Sequence, residues 1–256
     1  MNLQVLYEDN HLIAVLKPTG VLSQGDRTGD VSIFDEVKKY LKEKYKKPGK
    51  VFLGLVHRLD RPVSGIILFA KTSKGAARLS EQFRNREVEK TYHAIVGPPP
   101  MAGSRQGREK PLKSRGVLIN NLIKDEKLKK ALIHPAPQGK LQKYFDGKEA
   151  RLYYEVVKSS DNYSLLKIKL ETGKFHQIRS QLSLAGFPIL GDVKYGHSSH
   201  KASEWQTQNS IALCATGLSF YCATEHPAGK TLSSNGASKK INLEISLPNK
   251  WQDYLK

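Results

Sequence analysis

Apolar and polar positions change period several times along the chain, and each change marks an element. Residues 3–7 and 12–16 read as two strands joined by the turn Glu8-Asp9-Asn10. Lys17-Pro18-Thr19-Gly20 then breaks the pattern, with Pro and Gly as punctuation. After a Gly- and Asp-rich loop over 25–29, Ile33, Val37 and Leu41 recur at every fourth position. One apolar stripe predicts a helix from Ser32 to about Tyr45, with Ser32 as its cap and Asp35 three residues on. Residues 51–56 and 66–70 are mostly apolar runs that predict two buried strands, and Pro62, Ser64 and Gly65 supply the turn between them. Ser73 is expected to cap a second helix with Ala76, Leu79 and Phe83 on its apolar side. Residues 90–96 alternate and predict a strand carrying Tyr92.

The second half continues in the same manner. Residues 150–157 and 163–170 predict two strands around the turn Ser159-Ser160-Asp161-Asn162. A helix is expected to begin at Phe175, with Phe175, Ile178, Leu182 and Ala185 as its stripe and Gly186 ending it. His176 and Arg179, three apart, would share another face. Residues 198–210 are polar and read as a loop. Residues 211–213, 217–222 and 241–247 are the last strands, and Pro248 precedes a short terminal helix. Hairpin-like pairs outnumber βαβ units, which predicts an α+β fold with a mostly antiparallel sheet.

One stretch differs in texture. Residues 98–148 open with three prolines, and segment 101–130 holds nine Lys or Arg against three Asp or Glu. It carries too little apolar residue to fold alone. It is read as a basic excursion of loops and hairpins from a single domain spanning 1–256, either a surface arm on RNA, through residues such as Arg105, Arg108 and Lys110, or a solvated loop.

Charge narrows the function. Lys and Arg number 42 against 24 Asp and Glu, a formal net of +18 over 256 residues. An excess of that size favours a polyanionic partner. Lys38, Lys39 and Lys42 share the polar face of the first helix, and Arg84, Arg86 and Lys90 surround the end of the second; all six are candidate RNA contacts. The N-terminus lacks the basic and apolar regions of a secretory signal, and no apolar run approaches a membrane span. Cys214 and Cys222 fit neither a zinc pattern nor a disulfide framework, so a cytoplasmic protein with buried thiols is expected. No phosphate loop, dinucleotide fingerprint or metal-spaced Cys or His set occurs. His197 and His200 are the nearest thing to a ligand pair, and they sit in a polar loop.

Between the two apolar runs lies His57-Arg58-Leu59-Asp60-Arg61-Pro62-Val63-Ser64-Gly65. Taken alone, Asp60 could be no more than a turn residue. The whole word resembles the catalytic motif of the RluA-type pseudouridine synthases. Three further stretches resemble that family in the same order: residues 6–20, residues 90–96, and Thr172-Gly173-Lys174-Phe175-His176-Gln177-Ile178-Arg179 with 186–192 after it. The likeness runs from about residue 5 to 195. Val63, Lys174 and Gln181 depart from the usual Thr, Arg and His, none at a position assigned to chemistry.

The resemblance implies a pseudouridine synthase fold: a long mixed sheet with a central catalytic cleft and flanking helices. It implies isomerisation of uridine in ribosomal or transfer RNA, by a monomer that needs no cofactor and no metal. It assigns Asp60 to the sugar, Tyr92 to the uracil, and Arg179 to pairing with Asp60. Arg58 is a candidate for the gap left in the stack, and Arg61 and His176 are further RNA contacts. His57 is expected to be structural. The family pattern starts within ten residues of Met1, which implies no preceding S4-type RNA-binding domain.

Two other readings compete. A non-catalytic RNA-binding or assembly factor on the same fold would carry the same charge, but Asp60, Tyr92 and Arg179 together favour the enzyme. A carboxylate-pair glycosidase needs a second placed acid. Asp192 is the one motif-associated candidate, and Gly191-Asp192 reads better as a turn.

Overall fold

The computed structural model describes residues 2–97, 112–135, 147–196, 209–222 and 239–256. Arg105, Arg108 and Lys110, the His197/His200 pair and most of the polar loop over 198–210 lie outside the described residues. Within them are eleven strands and three α-helices, an α+β fold. The chain divides into two compact units, one of residues 1–90 and 215–246, the other of residues 91–214 and 247–256.

In the first unit, β1 (Val5–Glu8), β2 (Leu12–Lys17), β4 (Ser64–Ala70) and β10 (Leu213–Tyr221) lie side by side in that order. The short β3 (Gly54–Leu55) pairs with β4, and β11 (Lys240–Glu244) with β10. β2 and β4 run antiparallel, Leu12 opposite Ala70 through to Lys17 opposite Gly65. Their even positions Leu12, Ala14, Ile66, Leu68 and Ala70 join Leu79, Leu218 and Phe220 in one buried cluster. Their odd positions Ile13, Val15, Ile67 and Phe69 are equally buried, and Phe69 meets the ring of Phe34 edge-on. Strands covered on both faces read as unbroken apolar runs, which is why period two is invisible in residues 66–70. Each of the larger of these side chains, Leu, Ile, Val or Phe, stabilises the fold by about 1.5–3 kcal/mol.

Helix α1 (Ile33–Lys44) has Ser32 as its cap in a reciprocal capping box with Asp35, and its stripe Ile33, Val37 and Leu41 is buried. Helix α2 (Ser73–Arg84) is capped one residue earlier than expected: the Thr72 hydroxyl accepts from the Gly75 N–H. The expected strand over 51–56 shrinks to two residues, with Phe52 exposed. Glu8 ties β1 to α1. It accepts from Lys44 at 2.7 Å, Lys71 at 2.6 Å and Tyr45 at 2.6 Å. Burial alone would raise its pKa, but these bonds outweigh burial and hold it down at about 2.

In the second unit, β5 (Glu89–Val96), β9 (Ser164–Leu170), β8 (Lys148–Ser159), β6 (Arg115–Asp125) and β7 (Lys130–Pro135) follow one another in that order. β6 and β7 form a hairpin, and β6 pairs with β8 from Arg115 opposite Glu155 to Leu122 opposite Lys148. The described part of segment 98–148 is therefore sheet, and it contributes Leu122 and Ala131 to a small core with Ala150. Helix α3 (Gln177–Leu184) starts two residues later than its stripe suggests, because His176 at its N-cap is left-handed, φ 51°. Gly186, φ 86°, follows its C-cap as expected. A 3-10 helix over Val193–Tyr195 and another over Asn249–Tyr254 complete the unit.

Candidate active site

In the first unit, residues 57–63 turn from β3 into β4, and Val63 N–H closes the turn on the Asp60 carbonyl at 3.0 Å. Asp60 itself is half-buried. The turn is gripped by residues 17–23. Ser23, buried, donates its hydroxyl to the Leu59 carbonyl at 2.6 Å and accepts the Leu59 N–H at 3.0 Å. Thr19 donates to the Pro62 carbonyl at 2.9 Å, and Gly20 N–H to the Arg61 carbonyl at 2.9 Å. Lys17 is fully buried and donates its ammonium to the carbonyls of Pro18, Val21 and Arg61 at 2.9, 2.7 and 3.2 Å. A buried ammonium is costly without acceptors, so those three oxygens fix where the segment runs. Asp60 thus stands between residues held on both sides. Gly65, at φ 126°, begins the exit: a methyl there would collide with the Ala215 backbone.

His57 is structural in this fold. Its Nε2 accepts the Leu68 N–H at 2.9 Å, and its ring stacks on Phe83 at 5.1 Å. Burial first, and the Lys90 charge second, push its pKa down to about 3, so it is neutral and holds the acceptor lone pair that Leu68 requires.

The candidate RNA contacts of this unit fall into two groups. Arg58, Lys39, Lys42, Arg84 and Arg86 are exposed. The others are less exposed, each with a contact of its own. Arg61 donates to the Gly20 carbonyl and pairs with Asp30 at 2.7 Å. Lys38 sits over the Phe34 ring, and Lys90, half-buried over Phe83, has its pKa lowered by burial.

In the second unit, Tyr92 lies on β5 with 9% of its surface exposed. The segment 172–176 is locked by Gln177, whose amide oxygen accepts from the Thr172 hydroxyl at 2.9 Å and the Lys174 N–H at 3.0 Å. That lock sets the start of α3. Nearly all of α3 is buried, including Gln177, Arg179, Ser180 and Gln181, so one apolar stripe does not describe it. Arg179 is 5% exposed and binds Asp192 through Nε at 2.7 Å and Nη2 at 2.9 Å. Its guanidinium lies 5.2 Å over the Tyr195 ring. The Tyr195 hydroxyl accepts the Ala131 N–H at 2.7 Å and lies 2.8 Å from His176 Nδ1. The structure brings His176 and Arg179 together around Tyr195, which binds both.

Sequence reasoning missed Tyr195, Lys17 and Ser23, and it weighed Asp192 only as a second acid, not as the partner of Arg179. Asp192 and Tyr195 did carry a signal: three apart after Gly191, they fall on one side of a single helical turn. Among the described residues no group of three or more His, Cys, Asp or Glu is placed to hold a metal ion. No helix among them is long and apolar enough to cross a membrane.

The family model for RNA pseudouridylate synthase matches residues 11–184. The chain belongs to the RNA pseudouridylate synthase family. It is 32% identical over 250 residues to the ribosomal large subunit pseudouridine synthase C of Rickettsia bellii, covering 95% of this chain and 68% of that one. It is also 32% identical over 258 residues to the tRNA pseudouridine synthase C of Haemophilus ducreyi, covering 98% and 94%. The solved structure of human RNA pseudouridylate synthase domain containing 4 shares the fold, with a TM-score of 0.69 at 23% identity over 98% of this chain and 91% of that one. The RluA-type resemblance is thereby borne out: the protein is a pseudouridine synthase, an isomerase of RNA uridines.

Proposed function

We propose that Asp60 carries the chemistry and that Tyr92 and Arg179 serve it. The reaction breaks the N1–C1′ bond of uridine, turns the uracil over and joins C5 to C1′; the C5 proton leaves and N1 regains one. Nothing is oxidised or reduced. The Asp60 carboxylate acts at the sugar, by attack on C1′ or by taking the C2′ proton, and either role requires it ionised. Arg179 is its counter-ion. Tyr92 packs on the uracil, and its hydroxyl assists removal of the C5 proton. The observation that supports this most is the grip of residues 17–23 on the Asp60 turn. A reacting group must be held within a fraction of an ångström of its productive geometry, and this one is fixed through its neighbours' backbone.

The substrate is a stem-loop of ribosomal or transfer RNA whose target uridine is flipped out of the stack, and the enzyme acts as a cytoplasmic monomer. Extruding a base costs a few kcal/mol, least where it is already unpaired. Arg58, exposed beside Asp60, is placed on the turn to take up the gap. The deciding experiment is Asp60→Asn. It should abolish pseudouridine formation while leaving RNA affinity within a few-fold; turnover in a preparation free of host synthase would end the assignment. Mapping pseudouridines in total RNA from cells with and without the gene would name the RNA.

A further inference from the structure

The second unit presents an outward sheet face of unusual make-up. Across β6, β8 and β9, Arg115 is opposite Glu155 and Glu155 opposite Lys167; two residues along, Val117 is opposite Tyr153 and Tyr153 opposite Lys169. These six side chains line a groove of about 450 Å³. The alternate positions Leu152, Leu166 and Ile168 are buried, so the other side of the sheet is core. On a solvent-facing side, polar residues are expected at every second position. Here Val117 is 46% and Tyr153 42% exposed, with Ile119 beside them at 39%. The Tyr153 hydroxyl donates to Glu171 at 3.1 Å, which tethers the ring instead of leaving it to swing.

We propose that this groove docks an unpaired segment of the substrate RNA. The chemistry is mixed in the way single-stranded RNA demands. Bases of unpaired RNA stack on aromatic side chains while cations follow the backbone. Tyr153 with Val117 offers the platform; Arg115, Lys167 and Lys169 are three cations against Glu155 in the lining, and Glu171, on the Tyr153 hydroxyl, is paired with Arg151. Lys167 and Lys169 project about 7 Å apart on one face, close to one nucleotide step of an extended strand. Paired RNA gains little from such a site, because an A-form helix buries its base faces. A second copy of this chain is disfavoured as occupant: its net charge is +18, and it would bring the same three cations. The identity of the polymer rests on the function proposed above; the groove itself does not.

The test uses the full chain and two probes, a fluorescent uridine dodecamer and an RNA duplex of the same length. Tyr153→Ala should weaken dodecamer binding about tenfold and leave duplex binding unchanged, whereas Tyr153→Phe should bind as the parent does. Lys167→Gln with Lys169→Gln should make the salt slope for the dodecamer shallower by about 1.4. A dodecamer bearing 4-thiouridine should crosslink to peptides of β6 or β8. If the parent forms no pseudouridine yet these shifts appear, the groove stands and the catalytic reading falls. If the parent is active but Tyr153→Ala, folded by circular dichroism, binds the dodecamer like the parent, the groove proposal is overturned. Loss of self-association in place of RNA affinity would overturn it too.

Discussion

Arg179 and Asp192 are joined by two parallel hydrogen bonds, and both side chains are buried, at 6% and 1% exposure. Neither is isolated: the pair is seated against Tyr195. Any substitution of Arg179 therefore acts on Asp192 as well as on the role proposed for Arg179. Removing one partner of a buried pair costs about 3–5 kcal/mol. Asp192→Asn and Arg179→Met should each destabilise the fold by that order in urea unfolding. Arg179→Met with Asp192→Leu should recover most of the stability and none of the activity. If the double variant is as unstable as the two losses summed, the pair does not act as a unit.

The proposed pairing of Arg179 with Asp60 has its own signature in activity. A guanidinium makes two parallel bonds to a carboxylate, which an ammonium cannot copy. Arg179→Lys should retain part of the single-turnover rate and Arg179→Met very little at neutral pH. If Arg179 is the counter-ion of Asp60, its removal should change the pH dependence of the rate as well as its size. A pH–rate profile identical in shape to that of the parent would remove Arg179 from the role of counter-ion.

His57 gives the fold an acid limit. Its pKa is about 3 in the fold against an ordinary 6.5. The unfolded chain thus binds a proton that the folded one refuses. Stability from this residue is complete above pH 6.5 and is lost as pH falls towards 3, by up to about 1.4 kcal/mol per pH unit. His57→Gln should be less stable at neutral pH, since Leu68 N–H loses its partner, but its stability should fall less steeply between pH 6 and 4. Parallel curves for the two proteins would refute this.

Tyr92→Phe keeps a ring and removes the hydroxyl. Single turnovers should stall after the glycosidic bond breaks, or proceed at least about tenfold more slowly, within the usual contribution of a positioned acid or base. Turnover near the parent rate would reduce Tyr92 to a platform.

Lys39 and Lys42 are exposed on α1, whereas Lys44, next along the basic run, is committed to Glu8. Neutralising Lys38, Lys39 and Lys42 together should reduce the salt slope of RNA binding by about 0.7 for each cation that meets a phosphate. An unchanged slope would make that face a solvated one.

The sequence made local features legible and long-range ones much less so. Helix α1 was readable to the residue because Ile33, Val37, Leu41 and the Ser32–Asp35 box all act within four positions of one another. The strand over 51–56 was over-read because an apolar run is ambiguous until its neighbours are known; only Gly54 and Leu55 find a partner, on β4. Arg179 was expected on a helix face apart from the apolar stripe, reaching a cleft, because periodicity assumes one buried stripe. Helix α3 is buried almost all round, and the reason, Asp192, lies thirteen residues on. Lys17 read as the end of a hairpin. Its role is set by the carbonyl of Arg61, forty-four residues away, and no pattern of period two or 3.6 encodes such a bond.

The grip on the Asp60 turn has a bearing on what this protein can become. The acceptors it uses at Leu59, Arg61 and Pro62 are all main-chain carbonyls. A hold of that kind is indifferent to which side chains the turn displays. Arg58, exposed on the turn, can be exchanged, altering what an incoming strand meets, while the backbone hold persists; Arg61 has less latitude, because its own side chain donates to the Gly20 carbonyl. Lys17, Thr19 and Ser23 have no such latitude, since theirs are the side chains that do the holding. Variation is thereby steered to the displayed side of the turn, and the place of Asp60 in the fold rests on three residues some forty positions upstream of it.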